Sequence, residues 1–185
     1  MGWKDWFGKK KEEPEIDPIA DLTLSQMKKG YFVDYDMKTW QVEAVNLYDW
    51  GGNEKTFEFQ LRCHDDTLYL ELDADDEEEW SISRPIRLNQ LGRDIRSQIR
   101  SAGEPPEEIV FEDTRYYLEE ESDGRYFKDG KGPSDEFTQW EYWDDTEEKF
   151  VCIEQWDDNE FEASVGFSVE EYQFSNILPS GSTAS

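Results

Sequence analysis

The sequence predicts a mainly β protein: two similar small antiparallel β units, barrel- or sandwich-like, joined by a short amphipathic helix. Three observations predict it. Apolar residues alternate with polar ones over successive short runs, the pattern of strands with one buried and one wet face. One stretch between those runs switches to helical spacing. The runs on either side of that stretch resemble each other. The composition supports a folded chain. Mean hydropathy is −0.95, yet 15% of the 185 residues are aromatic, and disordered acidic chains are poor in aromatics.

Residues 1–21 read as an arm. Trp3, Trp6 and Phe7 are followed by Lys9, Lys10 and Lys11, then by Pro14 and Pro18, which interrupt any helix. Residues 22–87 form the first β unit. Residues 22–29 fit a short helix or turn that ends at Gly30. Tyr31 to Tyr35 is a short strand. Trp40, Val42 and Ala44 alternate with Gln41 and Glu43, and the apolar phase then slips to Val45 and Leu47, as a β-bulge produces. Residues 49–53 carry a turn signal. Phe57, Phe59, Leu61 and Cys63 form one alternating run, and Leu68, Leu70 and Leu72 form the next. After an acidic turn over 73–79, Trp80 and Ile82 begin another strand.

Residues 88–106 are the linker helix. Leu88, Leu91, Ile95 and Ile99 fall on one helical face, with Asn89 as a start signal and Gly103, Pro105 and Pro106 as stops. Residues 107–179 form the second β unit. It has a hairpin around 112–114, a loop over 128–135, and strands at Trp140–Tyr142, Phe150–Ile153 and Phe161–Phe167. Residues 180–185 read as a flexible tail. The stretch LYLELDADDEEEWSIS parallels FVCIEQWDDNEFEASV, with Leu70-Glu71 matching Ile153-Glu154. Similarity of this kind reads as two copies of one unit.

The formal charge is −27, from 46 Asp and Glu against 19 Lys and Arg. Residues 1–11 carry +3 and residues 84–100 carry +4, which leaves the remainder at −34. A body this acidic argues against binding nucleic acid, whose affinity comes from cationic side chains displacing counterions. It argues equally against an anionic membrane as a whole. Two cysteines, Cys63 and Cys152, make no disulfide framework, so a reducing cytoplasm is expected. No apolar run resembles a signal peptide or a span.

No motif for catalysis stands out, so a non-enzymatic protein without a cofactor is expected. Cys63 precedes the single histidine, His64, but neighbours on a strand point to opposite faces and meet only if the turn bends between them. A turn histidine is the simpler reading. The acidic turn fails the EF-hand pattern, which needs glycine where Glu78 stands and a bidentate Glu where Arg84 stands. Trp40, Trp80 and Trp140 are in phase with apolar neighbours and read as core. Trp143 and Trp156 are flanked by acids and are candidate surface anchors. Arg93, Arg96 and Arg100 form either a face for an acidic partner or, as favoured here, a neutralising layer over the protein's own sheets. The arm residues Trp3, Trp6, Phe7 and Lys9 to Lys11 are candidates for contact with a membrane, a partner or their own domain.

The order Gly30, Trp40, Leu68 to Leu72, then Trp140, Tyr142, Glu154, Trp156, Gly166 and Leu178-Pro179 resembles a bacterial family designated domain of unknown function forty-one seventy-eight. The resemblance spans roughly residues 22–179 and brings no established activity or catalytic residue. It implies an association with phage-shock-type membrane-stress proteins, small membrane proteins and aminopropyltransferase-like proteins of polyamine synthesis. The resulting expectation is a cytoplasmic accessory or adaptor protein that binds a protein partner, with peripheral contact at the inner membrane through the arm. Two alternatives stand beside it. One is an acidic ligand-binding domain for polyamine or a divalent cation, and the other is a DNA-mimic inhibitor.

Overall fold

Period-2 alternation yields strands where it is expected, and in a computed structural model they share one sheet. The structure describes residues 22–74 and 78–181. Among these the strands are β1 Phe32–Tyr35, β2 Lys38–Gly51, β3 Glu54–Cys63, β4 Asp66–Asp73, β5 Glu79–Ile86, β6 Glu108–Phe111, β7 Thr114–Phe127, β8 Asp135–Asp144, β9 Lys149–Asp157, β10 Glu160–Val169 and β11 Ser175–Leu178. A single α-helix, α1 Ile95–Ala102, lies between β5 and β6 among the described residues. No described helix is long and apolar enough to cross a membrane.

The hydrogen-bonded order is β11-β1-β2-β3-β4-β5-β10-β9-β8-β7-β6, and β2 also pairs with β7. That last pairing closes eight strands, β2 to β5 and β7 to β10, into one antiparallel barrel. The expectation of two separate β units is therefore corrected. Each half is an open four-stranded wall with two edges. An open edge presents a row of unpaired N–H and C=O groups. Here β5 pairs with β10 and β2 with β7, so each wall satisfies the other's edges.

The linker helix is corrected as well. Residues 88–90 form a 3-10 turn, and α1 starts only at Ile95, after Gly92 and the N-cap position Asp94. Gly103, with φ +83, ends it in the left-handed conformation, as expected of a glycine there. Rather than bridging two bodies, α1 lays Ile95 and Ile99 on the outer surface of the second wall.

The two longest strands explain how the barrel closes. β2 and β7 have 14 residues each. The first part of each pairs with a short hairpin partner, β1 or β6. Both hairpins turn through two residues with positive φ, Asp36-Met37 and Glu112-Asp113, the backbone that two-residue hairpins prefer. Each long strand then slips register, between Val42 and Ala44 in β2 and between Leu118 and Glu120 in β7. A bulge of this kind bends a strand and increases its twist. Beyond the bulges, Leu47–Asp49 meets Arg125–Phe127.

The apolar core lies outside the barrel wall. On the first half, Trp40, Val42, Phe59, Leu61, Leu70 and Ile82 are buried under Leu24, Met27, Val33 and Phe174. On the second, Trp140, Tyr142, Val151 and Ile153 are buried under Leu91, Ile95, Ile99, Ile109 and Phe111. Trp40, Trp80 and Trp140 are core residues, 1%, 6% and 2% exposed.

Gly166 of β10 sits opposite Ser83 of β5 and Phe150 of β9. A methyl group there would collide with the Phe150 ring and the Ile82 carbonyl. Gly166→Ala is expected to destabilise the fold by about 1–3 kcal/mol, the usual range for overpacking. Met37→Gly, at a fully exposed turn residue, should not. Thermal unfolding compares the two, and an unchanged Gly166→Ala midpoint would contradict this packing.

Candidate functional site

Alternation that turns apolar residues outward turns the residues between them inward. They enclose a cavity of about 730 Å³ to which all eight barrel strands contribute. Six glutamates line it, Glu58 on β3, Glu71 on β4, Glu141 on β8, Glu154 on β9 and Glu160 and Glu162 on β10, together with Asp135 and Asp157. No Lys or Arg lines it among the described residues. A second cavity of about 490 Å³ shares Glu71 and Glu141 with the first and adds Glu54, Asp73, Glu79, Glu120 and Asp123.

Strand register brings these carboxyls together. Glu58 is directly opposite Glu71 across β3 and β4. Glu154 is directly opposite Glu162 across β9 and β10. Residues so placed have Cβ atoms roughly 5 Å apart, and like charges at that position repel. Glu58, 6% exposed, is held by two donors: Asn46 Nδ2 gives a bond to Oε1 at 2.7 Å and Tyr48 Oη to Oε2 at 3.0 Å. The indole Nε1 of Trp143 donates to Glu141 Oε1 at 2.6 Å.

Burial and mutual repulsion raise the pKa values. Burial is the first cause for Glu58, partly opposed by its bonds to Asn46 and Tyr48. Glu71 stands well above the ordinary range, through burial and then the charges of Glu58, Glu154 and Glu141. Glu154 is pushed up to about 8 by burial, then by Glu58 and Glu162. Glu141 and Glu162 are raised by burial, with Glu120 and Glu160 respectively as neighbouring charges. The lumen carboxyls therefore retain protons to higher pH than free carboxylic acids do.

Aromatic rings close one side of the lumen. Tyr48 stacks with Trp50 at 5.8 Å and meets Tyr126 at 5.2 Å, and Trp156 stacks on Phe137 at 4.7 Å. Gly124 on β7 leaves room for Phe137 and Trp50, which a Cβ would strike.

Trp143 and Trp156, expected as surface anchors, are half-buried and line cavities, Trp143 the smaller one and Trp156 the larger. Arg93, Arg96 and Arg100 are exposed beside or on α1. None makes an ion pair among the described residues, and the Arg96 guanidinium lies 5.5 Å above the Phe161 ring. The arm residues Trp3, Trp6, Phe7, Lys9, Lys10 and Lys11 lie outside the described residues. The β3–β4 turn does bend, with His64 at φ +56, and it brings Cys63 Sγ to 3.4 Å from His64 Nδ1. Both cysteines are free.

The lumen glutamates escaped sequence reasoning because each sits at an ordinary polar position of an alternating strand. One signal is present in the two parallel stretches: Glu71 matches Glu154, and both line the lumen.

The fold and its interior define a class, an eight-stranded antiparallel barrel whose lumen is lined with carboxyl groups. The chain belongs to the family described as domain of unknown function (DUF4178), whose model matches residues 28–171. That span covers all eight barrel strands. A similar relative is an uncharacterized protein of Aquifex aeolicus (strain VF5), 30% identical over 170 residues, 92% of this chain and 93% of that protein. No solved structure matches the chain.

Folding raises the pKa of Glu154 from an ordinary 4.5 to about 8. The native chain holds this proton after the unfolded chain has released it, so stability falls as pH rises between those values. Glu154→Gln removes the penalty. The variant is expected to be more stable than the parent by roughly 1–3 kcal/mol near pH 8, with the gap closing toward pH 4.5. Urea unfolding across that range measures it, and a gap independent of pH would contradict the assignment.

Proposed function

We propose that this protein is a non-enzymatic binding protein whose barrel lumen takes up a small organic cation, an amine. The observation that carries the reading is a barrel lumen lined by six glutamates with no described cationic side chain. Buried carboxylates without counter-charge are costly, and an ammonium ligand supplies that charge with hydrogen-bond donors. The aromatic walls suit the same guest, since rings attract cations and pack against methylene chains.

An amine fits this lumen better than a bare metal ion. The glutamates are spread over five strands, and no three His, Cys, Asp or Glu converge for a metal among the described residues. Calcium binding needs six to eight oxygens gathered at about 2.3–2.6 Å. Such a protein would act as a carrier or sensor of the amine, an accessory role in keeping with the sequence expectation.

Calorimetry with spermidine and with calcium near pH 8 tests the reading. Spermidine should bind saturably at one site in physiological salt, and calcium only weakly. Glu58→Gln should weaken spermidine roughly tenfold, the scale of one charged hydrogen bond. Glu107→Gln, on the exposed surface, should change little. Equal effects of the two substitutions, or binding that vanishes with screening, would reduce the lumen to a polyelectrolyte surface.

A further inference from the structure

Resting on that reading, we infer that the ligand carries two ammonium groups, one seated on the Glu58–Glu71 pair and the other on the Glu154–Glu162 pair. The register fixes both pairs, each directly opposite across neighbouring strands. One belongs to the first wall and the other to the second. Around the barrel β5 separates β4 from β10, so the centres of the two pairs are three strand spacings apart. Three spacings out of eight place the pairs on nearly facing sides of the lumen. With strands about 4.8 Å apart, that is roughly 14 Å perpendicular to the strands, and the register adds a displacement along them, since Glu71 is level with Ser81 and Ser168 rather than with Glu162.

Each pair is a like-charge contact that one cation relieves. A ligand with a single ammonium settles one pair and leaves the other to retain its proton. A ligand with an ammonium at each end settles both, and the second contact forms within one complex rather than by a second encounter. A separate observation concerns the second pair. The Trp156 indole N–H, two residues from Glu154 in the same wall, is shielded from solvent without a partner at full hydrogen-bond geometry, and lies close enough to Glu154 to oppose the effect of burial on that carboxyl. An ionised Glu154 is an acceptor for such a donor, and an ammonium that displaces the Glu154 proton generates it. The seat is thus completed when the cation arrives. The hydrocarbon between the two ends would run past Tyr69 and Phe150, which also line the cavity.

Calorimetry comparing putrescine, with two amino groups, and n-butylamine, with one and the same chain length, tests the inference on the full chain near pH 8. Putrescine should bind on the order of 100-fold tighter, the lower end of the gain from linking two contacts. Glu71→Gln and Glu154→Gln should each reduce that ratio to within about tenfold. Thermal unfolding verifies that both variants fold, as near-isosteric replacements of carboxyls that already retain protons. n-Butylamine binding within a few-fold of putrescine would overturn the two-seat arrangement and leave amine binding intact. If neither amine nor spermidine binds, the lumen reading itself fails, and the two-seat arrangement with it.

Discussion

Three residue pairs hold the barrel shut. Leu47, Tyr48 and Asp49 of β2 meet Phe127, Tyr126 and Arg125 of β7, and the Arg125 guanidinium binds the Asp49 carboxylate across the seam at 2.8 Å. That ion pair is partly exposed and contributes little alone. The seam is held chiefly by its ladder and by the rings beside it, Tyr48, Trp50, Tyr126, Phe137 and Trp156. Without the seam the sheet would be open, and the face now lining the lumen would lie in water. Glu58, Glu71 and Glu154 would then titrate as ordinary surface groups. Burial of these carboxyls, and everything argued from it, depends on the contact between β2 and β7.

Closure also settles how the chain reconciles strong acidity with a stable fold. The apolar sides of both walls are roofed from outside, by β1, β11 and the turn at Leu24–Gln26 on one half and by α1 and β6 on the other. Most hydrophobic burial is therefore achieved without filling the interior, and small barrels that are not filled by side chains enclose ligand cavities. The interior is left to carboxyls and other polar groups beside a set of aromatic rings. Glu58 receives two hydrogen bonds and Glu141 one, which hold those carboxyls in place. These bonds lower the pKa only in part, and burial still dominates.

Much of the strand layout was legible in the sequence. Alternation located β3, β4, β9 and β10, the phase slip at Val45 marked a true bulge, and Gly103 marked the end of α1. The error lay in closure. Alternation separates the two faces of a strand but does not say which becomes concave, so a polar face expected to meet water became a lumen. The pairings β2–β7 and β5–β10 join residues about eighty or more positions apart, and no local pattern encodes them. Glu58 between Phe57 and Phe59 looks like any solvated strand residue. The helical spacing that began at Leu88 was real for Ile95 and Ile99, but Gly92 and Asp94 broke it into two pieces.

The long-range pairings bear on the order in which the chain assembles. Each wall is a meander of adjacent hairpins, built from local contacts that form quickly. Joining β5 to β10 and β2 to β7 requires large loops to close, at an entropic expense that grows slowly with loop length. Two half-built walls can form first with their glutamates hydrated and ionised, so repulsion between carboxylates arises only at the closing step. Solution acidity and dissolved cations would then govern the speed of that last step, giving the same groups that shape the cavity a part in folding kinetics.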